Sequence, residues 1–478
     1  MSNLKRNIFY QIVYEILVFI LPLITSPYIS RVLGANNLGV YSFSYSVAYY
    51  FQLMAMLGIK YYGTRSIASV RDNKTQINEV FSSVFALHAF VALIVIVFYF
   101  LYCFFIVREY RVIAIIQSLN VIAAFFDINW LFFGLEKFKI TVSRNIVIKI
   151  LTTCCIFIFV KDKDDLWKYT LIMSTGLAAS QSVVWIFVSK YVKFTKVKIS
   201  DIFVHLKPMV VLFIPIIAVS VLKYMDEIML GILSTDSEVG YYDNAYKIVN
   251  IPSALIIAIG TVMLPRISNL MNNGLKEKSE QYAKLSYKYL MCLSIGMSFG
   301  LVAVSNTFSV VFWGEEFARC QPIIEMLSLA IPFTAYSNIT RTQYLMPNSK
   351  DKIYMHSTIA GMMINFILNT FLVYKFKSVG VSISTFVSEL VIMLYQIIAI
   401  NKENNQWKYI KSFLWFYVPG IVMFLCIKSI FNNNPYNVFL LLLQILTGIF
   451  IYVSLSILIL FLTRDELILK TITRFEKR

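Results

Sequence analysis

Charge is scarce in this chain. Asp, Glu, Lys and Arg make up 14% of its 478 residues and hydrophobic residues 58%, whereas a water-soluble domain carries about 25% and about 45–50%. That imbalance excludes an ordinary soluble globule and leaves lipid as the solvent. Histidine is nearly absent: His88, His205 and His356 are scattered, and none sits in a His-Glu-x-x-His context that would bind zinc. The six cysteines, Cys103, Cys154, Cys155, Cys292, Cys320 and Cys426, form no Cys-x-x-Cys pair. They lie in or beside apolar runs and read as small packing residues. No Gly-x-x-x-x-Gly-Lys-[Ser/Thr] loop occurs, so no ATPase is carried on the chain. Long loops are missing as well, which leaves no room for a separate water-soluble domain. Lys5 and Arg6 precede an apolar run with no small-residue cleavage site after it, so that run is expected to be a retained span.

What remains is apolar sequence in lengths that suit a bilayer. About 20 mostly apolar residues cross about 30 Å of hydrocarbon. Spans are expected near 8–30, 39–61, 80–106, 112–134, 146–160, 167–189, 209–233, 241–264, 290–310, 323–346, 353–374, 380–400, 412–430 and 438–462. The fifth is short and should borrow residues from before Ile146. If the loops alternate from an inside start, 28 of the 43 Lys and Arg fall on the inside, as cytoplasmic loops require. The expectation is an all-α membrane protein of about fourteen helices with both termini cytoplasmic. The net charge of +17 is then explained by topology and by anionic lipid heads, so nucleic acid is not an expected partner.

The segment 193–208 places Ile199, Ile202, Phe203 and Leu206 at i, i+3, i+4 and i+7 among lysines, the pattern of an amphipathic helix on the inner surface. The tail from Arg464 to Arg478 looks similar, with Ile468, Ile472 and Phe475 on one side. A short repeat flanks the linker. Gly39-Val40-Tyr41-Ser42-Phe43-Ser44-Tyr45 and Gly240-Tyr241-Tyr242-Asp243-Asn244-Ala245-Tyr246 both read Gly-x-Tyr-x-x-x-Tyr, and each preceding span holds a proline, Pro22 or Pro215. This predicts two parallel six-helix lobes, 1–192 and 209–411, joined by the linker 193–208. Two additional helices over 412–462 and a basic tail over 463–478 follow. Parallel halves of this kind rock against each other in transporters.

The stretch Tyr224-Met225-Asp226-Glu227-Ile228-Met229-Leu230-Gly231, with Glu238 to Tyr246 after it, resembles the middle of the Wzx-type polysaccharide flippases. Pro27-Tyr28-Ile29-Ser30-Arg31-Val32-Leu33-Gly34 through Tyr41 resembles their N-terminal signature, and Trp130 to Phe138 the end of their fourth span. The resemblance implies membership of the multidrug/oligosaccharidyl-lipid/polysaccharide superfamily, which also holds the MATE exporters and lipid II flippases. It implies a bacterial cytoplasmic-membrane protein that is not an enzyme and needs no resident cofactor. The implied task is to move an undecaprenyl-diphosphate-linked oligosaccharide from the inner to the outer leaflet by alternating access, for capsule, exopolysaccharide or O-antigen assembly. Membrane lipids, and a polymerase and glycosyltransferases of the same pathway, are the implied partners. Two rival readings are a MATE-like cation-coupled drug exporter and a membrane polysaccharide polymerase. The second would need a larger external loop than any present.

Flipping a diphosphate and its sugars requires cations, hydroxyls and amides inside spans, where they are costly unless they face a cavity or a partner. Lys223, about fourteen residues into its span, is the first candidate for the diphosphate; a pair with Asp226 or Glu227 is the structural alternative. Arg341 is second, since arginine can hold phosphate bidentately. Lys247, with Asp243 at i−4, Arg31 at the end of the first span, and Lys149 complete the substrate-binding set. Lys149, Lys60 and Lys428 sit near span ends, where the alternative is that they snorkel. Glu15, Asp127 (with Asn129), Asp226 and Glu227 are candidates for coupling to Na⁺ or H⁺, because a carboxylate in a span must pair, protonate or ligate. Glu325 and Glu389 are weaker acidic candidates. Tyr41, Tyr45, Tyr49, Tyr50, Tyr242 and Tyr246 either pack spans or stack on sugars, and Asn365 with Asn369 could line a polar face.

Overall fold

A computed structural model describes residues 3–403, 405–431 and 435–463, with side chains described from residue 20 onward except at 215, 218, 219, 222 and 223. The basic tail from Arg464 lies outside the described residues. Everything described is helix or connection, with no strand among the described residues, and nine helices there are long and apolar enough to cross a membrane.

The chain divides into two compact units, Met1–Gly240 and Tyr241–Arg478. The first holds α1 (Asn3–Met56), α2 (Ile59–Val70), α3 (Lys74–Leu101), α4 (Arg111–Phe125), α5 (Asn129–Gly134), α6 (Phe138–Phe159), α7 (Leu166–Val183), α8 (Ile199–Phe203), α9 (Leu206–Ser220) and α10 (Asp226–Leu233). Helix α11 (Asp236–Asn272) crosses the division. The expected first and second spans both lie in α1, which breaks at Gly34 with φ 75°. Only glycine takes that conformation without cost. The fifth span begins well before Ile146, because α6 starts at Phe138.

Within the first unit α1 packs against α3, α4, α6 and α7, and α2 against α5. Trp130, Phe132, Phe81, Ile59 and Ile67 form an apolar cluster there. Residues 209–233, assigned from sequence to the head of the second lobe, fall in this unit, where α9 packs on α2 and α10 on α1.

The linker differs from its expected form. Its helix is only the five residues Ile199–Phe203, and α9 starts at Leu206. His205 at the joint accounts for the break. Its Nδ1 lies 2.6 Å from Tyr62 Oη and its Nε2 2.9 Å from Ser83 Oγ, which ties the joint to α2 and α3. Ile199, Phe203 and Val204 remain exposed. Burial lowers the His205 imidazole below its ordinary value, against a smaller opposing effect of Asp201. The folded form therefore resists a proton that the unfolded chain accepts below about pH 6.5. Stability is present above that pH and declines as pH falls through it. Thermal melts of the purified protein should show this acid loss between pH 7.5 and 5.5, and it should be smaller in His205→Gln.

The second unit holds α12 (Lys276–Trp313), α13 (Cys320–Thr340), α14 (Asp351–Ile400), α15 (Trp407–Phe413), α16 (Tyr417–Phe431) and α17 (Val438–Leu462). Helix α12 packs on α13, α15, α16 and α17, and α13 packs on α14. The expected eleventh and twelfth spans both fall in α14, which breaks at Lys377 with φ 50°. Side-chain burial is inverted relative to a soluble protein. Phe105 is 80% exposed, while Ser294, Ser298, Ser309, Ser382 and Ser384 are fully buried. Small hydroxyl residues let helices approach closely where lipid gives no hydrophobic drive; Ser298 Oγ, for example, donates to the Ser328 carbonyl at 2.7 Å.

Candidate functional site

Polar side chains inside the first unit gather in three places. The first follows α9, where the helix widens into a π-turn over Val221–Met225 before α10 begins at Asp226. Such turns often mark functional sites. Asp226 is 0% and Glu227 2% exposed. Ser46 Oγ of α1 donates to Glu227 Oε2, and Tyr50 lies within electrostatic reach of both carboxylates. Lys223 belongs to the π-turn, but its side chain lies outside the described residues, as does that of Glu15. The Tyr224 ring sits 3.9 Å from Tyr49 and 6.3 Å from Tyr45, and Tyr45 stacks on Tyr41 at 6.0 Å. These tyrosines are engaged with one another.

The second place joins α4, α5, α6 and α7. Asp127 Oδ1 accepts from the Asn129 backbone N–H at 2.9 Å and from its Nδ2 at 2.8 Å, and Asp127 Oδ2 accepts from Gln181 Nε2 at 3.3 Å. Asn129 Nδ2 also donates to Gln181 Oε1 at 2.9 Å. Arg144 Nη2 donates to Asn129 Oδ1 at 3.1 Å and to Asn145 Oδ1 at 2.8 Å, and Ser180 Oγ donates to Asn145 Oδ1 at 2.7 Å. Arg144 lies just ahead of the expected fifth span at 146–160. It is buried because α6 begins earlier than the hydropathy shows, and the polar triplet Ser143-Arg144-Asn145 ahead of the apolar run was the available signal. The third place is an amide–hydroxyl cluster in which Asn120 Nδ2 donates to Gln117 Oε1 and to Ser174 Oγ, the latter at 3.1 Å, and Gln117 Nε2 to Ser44 Oγ at 3.4 Å.

Arg31 is exposed near the Gly34 break, Lys149 is half-buried on α6, and Lys60 is exposed with its Nζ 5.9 Å from the Tyr61 ring.

In the second unit Lys247 Nζ pairs with Asp243 Oδ2 at 2.5 Å across one helical turn. Arg341 opens another π-turn, Arg341–Leu345; its Nη1 donates to Tyr354 Oη at 3.3 Å, and its guanidinium stands 5.1 Å from that ring. Glu325 Oε1 accepts from Gln321 Nε2 at 2.9 Å and Ser305 Oγ at 3.1 Å, and Glu389 bonds Thr334. Asn369 Nδ2 donates to Asn365 Oδ1 at 3.1 Å, both buried, and Tyr242 stacks on Tyr246 at 6.1 Å. Lys428 Nζ lies 5.5 Å from the Phe424 ring. No group of three His, Cys, Asp or Glu that could hold a metal occurs among the described residues.

The arrangement can solvate an anionic, hydroxyl-rich group inside apolar helices. Comparison with known proteins is consistent with this chemistry. A family model described as polysaccharide biosynthesis protein matches residues 4–271, and one described as lipid II flippase MurJ matches 170–447. A Shigella dysenteriae protein named "Putative O-antigen transporter" is 25% identical over 83% of this chain and 100% of its own length. An Escherichia coli (strain K12) protein of the same name is 27% identical over 84% of this chain and 98% of its own. The fold is shared with a lipid II flippase MurJ in an inward closed conformation (TM-score 0.77, 17% identity, 95% of this chain and 99% of the other). It is shared less closely with an inward-facing multidrug MATE transporter of the MOP superfamily (TM-score 0.57, 12% identity, 86% and 96%).

Proposed function

We propose that the chain, which belongs to the polysaccharide biosynthesis protein family, is a flippase for lipid-linked oligosaccharide. The observation that carries this is the match to two proteins named as O-antigen transporters over nearly their whole length. The in-span cations, amides and hydroxyls supply the chemistry. The substrate is an undecaprenyl-diphosphate-linked oligosaccharide repeat unit, moved from inner to outer leaflet of a bacterial cytoplasmic membrane by alternating access. No covalent bond of the substrate is broken. In this reading fourteen spans place both termini in the cytoplasm, two six-helix lobes flank the 193–208 linker, and the product feeds a polymerase on the outer face. Lys223, Arg341, Lys247, Arg31 and Lys149 are the cations available to the diphosphate. Asp226, Glu227, Asp127 and Glu15 are the carboxylates available to a Na⁺ or H⁺ that resets the transporter.

The test is the sidedness of the undecaprenyl-diphosphate-linked pool in cells depleted of this protein. Intact repeat units should accumulate on the inner leaflet while surface polymer is lost. Units that reach the outer leaflet unpolymerised would instead point to an enzyme. An unchanged pool with raised drug sensitivity would point to an exporter.

A further inference from the structure

Four side chains within the seven residues Ser337–Gln343 carry buried polar atoms with no hydrogen-bond partner in the protein. They are Ser337 Oγ, Asn338 Oδ1, Arg341 Nε and both amide atoms of Gln343. No other stretch of that length among the described residues holds as many. Gln343 is 3% exposed, and Ser337 and Asn338 are also buried. Buried polar groups are nearly always paired, and each exception calls for a cause.

Poor packing of the whole segment is not that cause, because its other polar groups are satisfied. Tyr336 Oη donates to Gln406 Oε1 at 2.7 Å, Thr340 Oγ1 donates to the Tyr336 carbonyl at 2.9 Å and lies 2.8 Å from Tyr287 Oη, and Thr342 Oγ1 donates to the Asn338 carbonyl at 2.8 Å. Two of the four, Arg341 and Gln343, lie in the π-turn Arg341–Leu345, a distortion frequent at functional sites.

The chemistry of the set is specific. Asn338 Oδ1 and Gln343 Oε1 only accept, Arg341 Nε and Gln343 Nε2 only donate, and Ser337 Oγ does both. A diphosphate accepts only and would leave two acceptors unmet. Sugar hydroxyls donate and accept at close spacing and can meet all of them.

We propose that Ser337, Asn338, Arg341 and Gln343 form a subsite for sugar hydroxyls of the transported glycan, left unpaired in this conformation and paired when the glycan is bound. The subsite rests on the flippase reading and adds the part of the substrate it recognises. It is a stability–function trade: apolar side chains of similar size relieve the unpaired groups but cannot bind the sugar.

Gln343→Met and Asn338→Leu are therefore expected to melt at or above the wild-type temperature in detergent. The same variants should lose at least about tenfold of glycan export when they replace the wild-type gene, read from the sidedness of the cell's own undecaprenyl-diphosphate-linked pool. Thr340→Val, which removes a paired hydroxyl, should melt lower and calibrates the readout. A fall in melting temperature for both Gln343→Met and Asn338→Leu would assign them a structural role and overturn the subsite. So would wild-type export by folded variants. If the wild-type gene itself fails to restore sidedness, the flippase reading falls and the subsite with it.

Discussion

Gly39→Ala and Gly240→Ala chains are expected to be lost from the membrane fraction or to melt far below wild type, while Gly300→Ala should be indistinguishable from it. The two glycines open the repeated Gly-x-Tyr-x-x-x-Tyr motif, and both belong to the first unit. A methyl on Gly39 would overlap the Asp236 carbonyl, and one on Gly240 the Ala35 carbonyl. Both obstacles are backbone, so no rotamer change relieves them, and the start of α11 would have to lift off α1. Overpacking of a well-packed core costs about 1–3 kcal/mol and occasionally more, against a total stability of about 5–15 kcal/mol. At Gly300 the nearest atom is the flexible tip of Met423 at 3.9 Å, which is ordinary contact. Membrane-fraction yield and melting temperature for the three variants check this; normal yield and melting of Gly39→Ala and Gly240→Ala would mean that the close approach is not needed.

Neutralising the 223–227 segment is expected to stop transport without unfolding the chain. Glu227→Gln keeps an oxygen that can accept from Ser46, so the fold should persist. The charge that a coupling ion or a substrate cation would sense is gone. Hydrogen bonds to charged groups contribute about 1.5–3 kcal/mol, which corresponds to about ten- to a hundredfold in an equilibrium. Export by Glu227→Gln, by Asp226→Asn and by Lys223→Ala should each fall by that order, with the protein still inserted at wild-type level. Full export by Lys223→Ala would remove that lysine from the diphosphate site, and full export by both carboxylate variants would remove them from coupling.

Much of the fold was legible in composition, because a bilayer imposes one requirement on every span. A run of about twenty apolar residues satisfies its own backbone in lipid as a helix, so hydropathy alone gave an all-helical membrane protein. The breaks at Gly34 and Lys377, each a residue at positive φ, fall between expected spans. Hydropathy missed what depends on contacts between distant segments. The linker helix broke early because His205 bonds Tyr62 and Ser83, residues more than a hundred positions away.

Candidate sites divide the same way. Lys247 with Asp243 was visible as an i, i+4 pair, because helical periodicity places those side chains together whatever the tertiary fold. Asp127 with Asn129 was visible as two polar residues in an apolar run. Their partners Gln181 and Arg144 were not, because each is brought in by a different helix.

By itself, then, the sequence determined that the chain lives in lipid, that its helices span it, and which residues carry charge where charge is costly. Those follow from solvent and from local periodicity, which act within a few turns of helix. Only the tertiary structure decided that Arg144 is buried, that the motif glycines meet opposing backbone, and that Ser337, Asn338, Arg341 and Gln343 keep unpaired polar atoms. Those depend on which helix lies against which, and contacts between distant segments are set by packing of the whole unit.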